Sequence, residues 1–426
     1  MTDRPSFSRL RAARDAGVAA GVVSVCSAHP VVIEAALRQA WRGGGEALIE
    51  ATCNQVNQDG GYTGMTPAGF AEFVGGIADR AGLPRGRVVL GGDHLGPNPW
   101  RHLDAGAAMA KAEAMVAAYT AAGARKLHLD ASMGCAEEAV ALSDDVTAAR
   151  AARLARVAED IARRAGLPPP RYVIGTEVPT PGGAAEVIAH LRLTTPEAAE
   201  RTWAVHREAF AREGIEAALE RVVAMVVQPG VEFGHANVAF YDSAAAQPLS
   251  RALDALPGLV FEAHSTDYQP PGCLRALVRD GFTILKVGPA LTFALREALY
   301  ALDRIAGALD PEWEAQSLMA AMERAMLDDP AHWRSHYHGG EGAARVLRHF
   351  SYSDRIRYYW PKPAAEAAVA RLLSRVAIPE TLASQFLPRL YGRLVSGALP
   401  PTPQAVLGAA VGDVLRDYAA ACREAR

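Results

Sequence analysis

Eight short runs rich in β-branched and other apolar residues alternate along this chain with longer, alanine-rich segments of helical period. Such alternation is typical of successive β–α–β units, in which helices join parallel strands. Because eight strands are predicted, the pattern favours an α/β fold closed into a (β/α)8 TIM barrel over an open doubly wound sheet. The predicted strands are Gly21–Cys26, Glu46–Thr52, Arg87–Gly91, Lys126–Asp130, Arg171–Thr176, Val222–Gln228, Leu259–Ala263 and Thr283–Val287.

Helical periodicity continues beyond the eighth predicted strand. We predict a barrel over residues 1–305 and a helical C-terminal extension over residues 306–426 that packs on the barrel. Half of the residues are hydrophobic but only 7% are aromatic, so we expect the largely aliphatic core of a parallel sheet covered by helices. The predicted helices are Pro30–Trp41, Pro67–Ala81, Gly106–Ala122, Val146–Ala165, Pro271–Arg279, Ala290–Ile305, Pro311–Met326, Gly342–His349, Pro363–Arg375, Pro379–Leu390 and Pro403–Glu424.

The charges of the chain are nearly balanced, with 44 Lys and Arg against 47 Asp and Glu and no basic run. Nucleic acid and anionic membranes are therefore poor candidate partners. The five cysteines are scattered and form no CxxC motif, which favours a reducing cytoplasm. The first residues lack an apolar signal-peptide core, and no uninterrupted apolar stretch reaches membrane-spanning length. We expect a soluble, cytoplasmic protein.

Polar side chains follow nearly every predicted strand. In a barrel the C-terminal strand ends converge on one mouth, which is where active sites form. Desolvating so many polar groups is unfavourable unless they have partners, so stability alone does not account for them. Candidate substrate-binding residues at this mouth are Ser27, Asn54, Gln228, Ser265, Asp267, Lys286, Arg355 and Arg357.

Three histidines that follow separate strands, His94, His235 and His264, suit a divalent ion such as zinc, with manganese as an alternative. Three protein ligands leave an open position for a substrate oxygen. Glu177 can serve as a further ligand or as a base beside the ion. The alternative is that each histidine is a structural residue at a strand end, with its hydrogen bonds satisfied.

Such an ion polarises the carbonyl and adjacent hydroxyl of a ketose and stabilises an enediolate. A nearby carboxylate must then move a proton, and Asp93 and Glu177 are the candidates. Asp130, the third carboxylate assigned to the catalytic group, can instead hold the tautomer of a histidine ligand. Asp93 can alternatively cap the turn or helix that follows it.

Several features can bind an anion at the same mouth. A helix begins after Gly288, and a helix N-terminus following strand eight is a common phosphate position in barrels. The pairs Gly60–Gly61 and Gly182–Gly183 can present backbone amides, or serve only turn geometry. Arg355 and Arg357 can reach over the mouth from the extension, or form salt bridges.

The motifs resemble those of one family, the Z-type subunit of class II tagatose-1,6-bisphosphate aldolase, along nearly the whole chain. They are long and specific, which makes the resemblance strong. The motifs are SVCSAHP at Ser24–Pro30, IEATCNQVNQDGGYTGMT at Ile49–Thr66, GGDHLGP at Gly91–Pro97, HLDASM at His128–Met133, GTEVPTPGG at Gly175–Gly183, QPGVEF at Gln228–Phe233, EAHSTDYQ at Glu262–Gln269, LKVGPALTFALRE at Leu285–Glu297 and SDRIRYYWP at Ser353–Pro361.

The resemblance implies a TIM barrel related to class II aldolases. Members of the family are usually described as non-catalytic subunits that support a separate aldolase chain, and some have been named tagatose-6-phosphate kinase. The kinase name finds no support in this sequence, which has no GxxxxGK[ST] loop and no set of protein-kinase motifs.

Compared with the catalytic class II aldolases, the Asp-His pair matches Asp93-His94, the later metal histidines correspond to His235 and His264, and the middle carboxylate corresponds to Glu177. Their glycine-rich phosphate loop is here His264–Asp267, and their Asn-Ile-Asp-Thr-Asp stretch is here Val287–Leu291. Both departures put the binding of a bisphosphate in doubt.

Three functions are therefore compatible with the sequence. The first is a metal-dependent enzyme for a ketose or ketose phosphate, either a lyase that cleaves C3–C4 or a C4 epimerase. The second is an accessory subunit that binds and stabilises a class II aldolase catalytic subunit. The third is a sugar-binding barrel with a vestigial metal site. A homo- or hetero-oligomer is expected.

Overall fold

The computed structural model describes residues 9–176, 191–256 and 258–423. Eight parallel strands form a closed barrel in the order β1-β2-β3-β4-β5-β6-β9-β10, with β10 hydrogen-bonded back to β1. The (β/α)8 barrel is thereby confirmed. Its strands are β1 (Val22–Cys26), β2 (Ala47–Thr52), β3 (Val88–Leu95), β4 (Lys126–Leu129), β5 (Arg171–Ile174), β6 (Val222–Val227), β9 (Val260–Ala263) and β10 (Phe282–Val287). A small antiparallel pair, β7 (Glu232–Phe233) and β8 (Val238–Ala239), follows β6.

Strand β3 extends beyond its predicted end at Gly91 and includes Asp93 and His94. Asp93 pairs with Thr52 of β2, but the pairing of β3 with β4 is irregular between Gly92 and Leu95. His94 has a positive φ of 50° within this irregularity. A left-handed conformation is costly for a residue other than glycine, so the surrounding barrel must hold it in place.

The helices that connect the strands cover the outside of the barrel, and α1 precedes the first strand. Proline stands in the first turn of α2, α3, α6, α8 and α9, where its missing N–H costs no hydrogen bond. These helices are α1 (Leu10–Asp15), α2 (Pro30–Gly43), α3 (Pro67–Ala81), α4 (Ala105–Ala121), α5 (Asp144–Ala165), α6 (Pro196–Arg212), α7 (Ser243–Ala252), α8 (Pro271–Arg279) and α9 (Pro289–Leu309).

Apolar side chains close the N-terminal end of the barrel. Leu10 of α1 is almost fully buried there and packs with residues from six strands. Since this end is filled with aliphatic groups, the polar strand ends face the opposite mouth. The strand residues of this cluster are Leu48, Val89, Val173, Ala224, Val226, Val260 and Ile284.

The region after α9 is helical, as predicted. The predicted helix Pro379–Leu390 is interrupted at Leu387, because Pro388 has no N–H and disfavours a helical conformation in the residue before it. Helix α9 itself runs past residue 305, so the division into a barrel and an extension stays a prediction. The helices are α10 (Leu318–Asp328), α11 (Glu341–Phe350), α12 (Pro363–Arg375), α13 (Glu380–Phe386), α14 (Pro388–Val395) and α15 (Pro403–Ala421).

Helix α15 returns to the barrel and packs against α2, α8 and α9. The N–H of Gly21, just before β1, donates to the carbonyl of Cys422, 3.1 Å away. Within the described ranges, no helix combines the length and apolar character needed to cross a bilayer.

Candidate functional site

Three buried histidines form a triangle at the C-terminal mouth of the barrel. His94 lies in β3, His128 in β4, and His264 directly after β9, and each is at most 4% exposed. The three ring centroids lie 4.9 Å from one another in every pair. Together with Asp93 these residues offer ligand atoms that all lie within 4.8 Å of one another.

Each histidine of the triangle is held by its own carboxylate, and the three contacts are equivalent in length. Oδ2 of Asp130 lies 2.8 Å from Nδ1 of His94, and Oδ1 of Asp93 lies 2.9 Å from Nδ1 of His128. Oε1 of Glu262 lies 2.9 Å from Nε2 of His264. A carboxylate on one ring nitrogen orients the imidazole and fixes its tautomer, which is the usual arrangement around histidine metal ligands.

The remaining nitrogen of His128, Nε2, is buried and has no hydrogen-bond partner among the described residues. Leaving such an atom unsatisfied costs free energy unless something binds it. An imidazole nitrogen is a good ligand for zinc and other divalent ions. The donor set of the triangle therefore fits a divalent metal ion.

A buried network of charges lies inside the barrel beside the triangle. Nζ of Lys126 lies 2.9 Å from Oε1 of Glu50 and 2.8 Å from Oε2 of Glu262. Nζ of Lys286 lies 2.5 Å from Oε2 of Glu50 and 2.7 Å from Oδ1 of Asp93. Ser24 also donates to Oε2 of Glu50.

With Asp130, this region holds four carboxylates and two ammonium groups. With neutral histidines, four negative and two positive charges leave a net charge of −2. Burial would lower the pKa of His94, but Asp93 and Asp130 raise it, and a proton on this ring would still leave a net charge of −1. An unbalanced charge of this size is unfavourable in a buried site. A divalent cation would neutralise it, which agrees with the donor chemistry of the triangle.

Burial lowers the pKa of His264 to about 3, so its ring is neutral at pH 7 and able to donate a lone pair. Burial alone would raise the pKa of Asp130, but the contact with His94 outweighs it and holds the pKa below the usual range. Burial would lower the pKa of Lys286, whereas Asp93 and its other anionic neighbours raise it. Lys286 is therefore an ammonium group and not a free nucleophile.

A cavity of about 620 Å³ opens beside the triangle and is lined by Asp93, His94 and His264. This volume suits a small-molecule ligand. Six of the predicted substrate-binding residues line it, namely Ser27, Asn54, Ser265, Asp267, Lys286 and Arg357. The structure thus brings residues from strands β1, β2, β3 and β10, from the segment after β9 and from the helical region after α9 to one cavity.

The structure does not bring His235 to the triangle, and this corrects the predicted ligand set. His235 lies in the turn between β7 and β8, where it contacts the helical region that follows α9. Its Nδ1 lies 2.9 Å from Oγ of Ser353, and its ring contacts Tyr337 at a centroid distance of 5.1 Å. His128 occupies the third corner instead.

Two other predicted substrate residues make structural contacts away from the cavity. Oε1 of Gln228 accepts the N–H groups of Gly230 and Val231, 2.9 Å and 3.0 Å away, and so holds the turn after β6. Nε of Arg355 donates to the carbonyl of His332. Glu177 and the pair Gly182–Gly183 lie outside the described residues.

The predicted phosphate position at the start of α9 is occupied by a carboxylate. Oδ1 of Asp267 accepts the N–H of Gly288 at 3.0 Å and that of Ala290 at 2.8 Å. Burial raises the pKa of Asp267 to about 6, although both N–H groups act to lower it. The pair Gly60–Gly61 serves turn geometry, since both residues have positive φ and a Cβ at Gly61 would lie 2.4 Å from the carbonyl oxygen of Gln55.

His128, Glu50, Lys126 and Glu262 were not assigned to the site from the sequence. A signal for His128 does exist, because Lys126, His128 and Asp130 alternate along one strand. Alternate residues of a strand share a face, and three polar ones in a buried strand point into the barrel. Glu262 and His264 are also two residues apart, so the same alternation predicts that both side chains lie on one face.

Comparison with known proteins agrees with this architecture. A protein from Agrobacterium fabrum named D-tagatose 6-phosphate 4-epimerase is 57% identical over 423 residues, covering 99% of each chain. A crystal structure from Sinorhizobium meliloti 1021, described as a probable tagatose 6 phosphate kinase, is 58% identical with a TM-score of 0.87. That match covers 94% of this chain and all of the other.

The family model described as D-tagatose-1,6-bisphosphate aldolase subunit GatZ/KbaZ-like matches residues 7–423. The match spans the barrel, the histidine triangle and the helical region that follows. The chain therefore belongs to the D-tagatose-1,6-bisphosphate aldolase subunit GatZ/KbaZ-like family.

Proposed function

We propose that this protein is a metal-dependent 4-epimerase of a ketose phosphate, acting by reversible cleavage of the C3–C4 bond. The observation that carries this proposal is the triangle of His94, His128 and His264, each paired with a carboxylate, at the wall of a cavity of ligand size. The name of the 57% identical relative supports the same reaction and a tagatose phosphate substrate.

The three histidines would hold a divalent ion, zinc or manganese, through the ring nitrogens that the carboxylates leave available. When bound, this ion supplies Lewis-acid stabilisation of the negative charge that develops on the oxygens of the ketose. Three carboxylates keep the imidazole rings of the triangle oriented, namely Asp130, Asp93 and Glu262. Asp130 is thus a positioning residue.

Asp93 is the proposed proton acceptor. Its Oδ1 is engaged by Lys286 at 2.7 Å and by His128 at 2.9 Å, while Oδ2 lies 3.7 Å from Nε2 of His94. Oδ2 takes the proton of the C4 hydroxyl as the C3–C4 bond breaks, and the electron pair of that bond passes to an enediolate on C1–C3. Glu177, which follows β5 in the sequence, is the second candidate for this role.

Epimerisation then requires the C4–C6 aldehyde to turn its other face to the enediolate. The C3–C4 bond re-forms on that face, and Asp93 returns the proton to the new C4 hydroxyl. Every atom of the substrate is retained, so no co-substrate is consumed. If a proton is added at C3 of the enediolate before the bond re-forms, the fragments leave as two trioses, so aldol cleavage is the expected side reaction of the same step.

The test uses purified protein treated with a chelator and then reloaded with zinc or manganese. Tagatose 6-phosphate is supplied, and fructose 6-phosphate and triose fragments are quantified by NMR. We expect metal-dependent formation of the epimer, and a loss of about 100-fold or more in the Asp93→Asn variant. The Asp59→Asn variant, whose carboxylate bonds Lys111 and Trp100 outside the cavity, is the matched control. Turnover that is independent of metal and of Asp93 would refute the proposal.

A second candidate function is that of an accessory subunit, which the description of the family as an aldolase subunit favours. Co-purification with a class II aldolase chain and a rise in its activity would support this function. The two functions are compatible, and the loss of epimerisation in Asp93→Asn with retained aldolase activation would separate them.

A further inference from the structure

Two side chains with a permanent positive charge line the described part of the cavity, Lys286 and Arg357. The charge of Lys286 is compensated by Glu50 and Asp93. The hydrogen bonds of Arg357 to described residues go to neutral oxygens instead: the carbonyls of Ser353 and Asp354 and the hydroxyl of Tyr358. Among the described residues no carboxylate therefore lies within ion-pair distance of Arg357, and Asp267 and Asp354 act on its charge only from farther away.

The carboxylate nearest to Arg357 in sequence is already engaged elsewhere. Oδ1 of Asp354 accepts from Nε of the buried Arg296 at 2.9 Å, and Oδ2 accepts from the hydroxyl of Thr292 at 2.7 Å. Both partners belong to α9. Asp354 thus fixes the extension to the barrel and leaves the guanidinium of Arg357 facing the cavity.

Aromatic rings hold that guanidinium in place. It lies 4.5 Å from the ring centroid of Tyr358, and the Tyr358 ring meets the Tyr62 ring edge-on at 4.8 Å. Tyr62 also lines the cavity, and it comes from the loop that follows β2. A guanidinium that is fixed, half-buried and without an ion pair to a described carboxylate is well suited to binding a phosphoryl group.

We propose that Arg357 binds the phosphoryl group of a ketose monophosphate and that the site accepts one phosphoryl group, not two. The second half of this proposal comes from Asp267, which fills the N-terminus of α9 and would repel a second phosphate there. The inference rests on the proposed epimerase function, whose substrate it specifies.

This position also has a consequence for the reaction. A phosphoryl group held by Arg357 stays bound while the C4 aldehyde turns by rotation about the C4–C5 bond. The three-carbon fragment is then retained until the C3–C4 bond re-forms. Without that contact, the fragment has a greater chance of leaving before re-addition.

The experiment compares wild type with Arg357→Ala, Arg357→Lys and Arg355→Ala. Arg355 is a matched control, since it lies 5.2 Å from the same Tyr358 ring but does not line the cavity. Three quantities are measured: kcat/KM for tagatose 6-phosphate relative to tagatose, binding of inorganic phosphate by calorimetry, and release of glyceraldehyde 3-phosphate trapped by a dehydrogenase.

We expect Arg357→Ala to reduce the preference for the phosphorylated ketose by about tenfold to a hundredfold, mainly through KM, because a charge-assisted contact to phosphate is lost. Release of triose phosphate per epimerisation should rise. Arg357→Lys should keep part of the preference, and Arg355→Ala all of it. Fructose 1,6-bisphosphate should bind no more tightly than fructose 6-phosphate.

An unchanged preference in Arg357→Ala, with the wild type active, would overturn the assignment of Arg357. Tighter binding of the bisphosphate would overturn the limit to one phosphoryl group. If wild type epimerises no ketose, the proposed function fails, and the phosphate calorimetry still decides on the anion site. Should Arg357→Ala fail to fold, Arg357→Lys gives the same comparison with the charge retained and the two-pronged geometry removed.

Discussion

Nζ of Lys126 lies 2.8 Å from Oε2 of Glu262 in the middle of the barrel, and neither side chain has any exposed surface. Glu50 contacts the same ammonium group from the other side. Removing one member of a buried ion pair leaves the other charge uncompensated in a poorly solvated site. The stability of the barrel therefore depends on these charges being present together.

Replacing Lys126 with methionine should lower the free energy of unfolding by about 3–5 kcal/mol, measured by urea denaturation. The double variant Lys126→Met/Glu262→Gln should lose less stability. In this variant Glu262, which the single substitution leaves as an uncompensated buried charge, is replaced by a neutral side chain. Lys111→Met is the control: its half-exposed pair with Asp59 should contribute about 1 kcal/mol or less. Equal losses in the Lys126 and Lys111 variants would contradict the assigned role of the network.

Replacing His128 and replacing His235 should have opposite effects on metal binding. Because His128 stands at the triangle and His235 contacts Ser353, His128→Ala should lose the bound divalent ion on dialysis and His235→Ala should keep it. Metal content per chain, measured by elemental analysis, decides between them. Retention in His128→Ala together with loss in His235→Ala would restore the ligand set expected from the sequence.

Gly96 ends the segment that carries Asp93 and His94. A Cβ at Gly96 would lie 1.6 Å from the carbonyl oxygen of Asp130, so alanine cannot be accommodated without moving the backbone. Gly96→Ala should therefore disturb the contact between Asp130 and His94 and weaken metal binding, as followed by metal titration. Gly86→Ala, where a Cβ meets open space, should bind metal as wild type does. Wild-type affinity in Gly96→Ala would show that the turn adapts.

Ionisation of the Asp267 carboxyl group should lower the free energy of unfolding as the pH rises. Its pKa of about 6 lies above the ordinary value of 3.8, so between these values the folded state binds more protons than the unfolded state. Stability contributed by the neutral form is thus full below the unfolded pKa and is lost as pH rises towards 6. The loss amounts to roughly 3 kcal/mol, because each tenfold difference in proton affinity between the two states is worth about 1.4 kcal/mol.

The variant Asp267→Asn removes this titration and keeps a side-chain oxygen for the N–H groups of Gly288 and Ala290. The free energy of unfolding of this variant, relative to that of wild type, should rise from pH 5 to pH 8. Urea denaturation at the two pH values measures the difference. Asp59→Asn should show no such gain, since the pKa of Asp59 is lowered by its contact with Lys111. A difference between Asp267→Asn and wild type that does not vary with pH would exclude the assigned titration.

The eight strands and the mouth of the barrel were predictable from the sequence, because period-two and period-3.6 patterns report directly on which faces are buried. The end of β3 was not, since Asp93 and His94 look like loop residues until the partner strand β2 is known. How far a strand extends depends on its pairing with a neighbouring strand, and the residue pattern of one strand alone does not reveal that pairing.

The third corner of the histidine triangle shows the same limit. His235 follows β6 in sequence as His264 follows β9, but the turn of the β7–β8 pair places it beside Ser353. His128 lies inside β4, and only the closed barrel shows that its ring meets those of His94 and His264. Asp267 likewise looked free to bind substrate, and only its position over α9 shows that its Oδ1 is engaged.

The contact between Gly21 and Cys422 joins two positions that are almost the whole chain apart. Strand β1 cannot complete its surroundings until α15 has been synthesised, because that helix packs on α2, α8 and α9 around it. A truncation near residue 400 removes α15, and should therefore expose the start of β1 and the faces of α2, α8 and α9 that this helix covers.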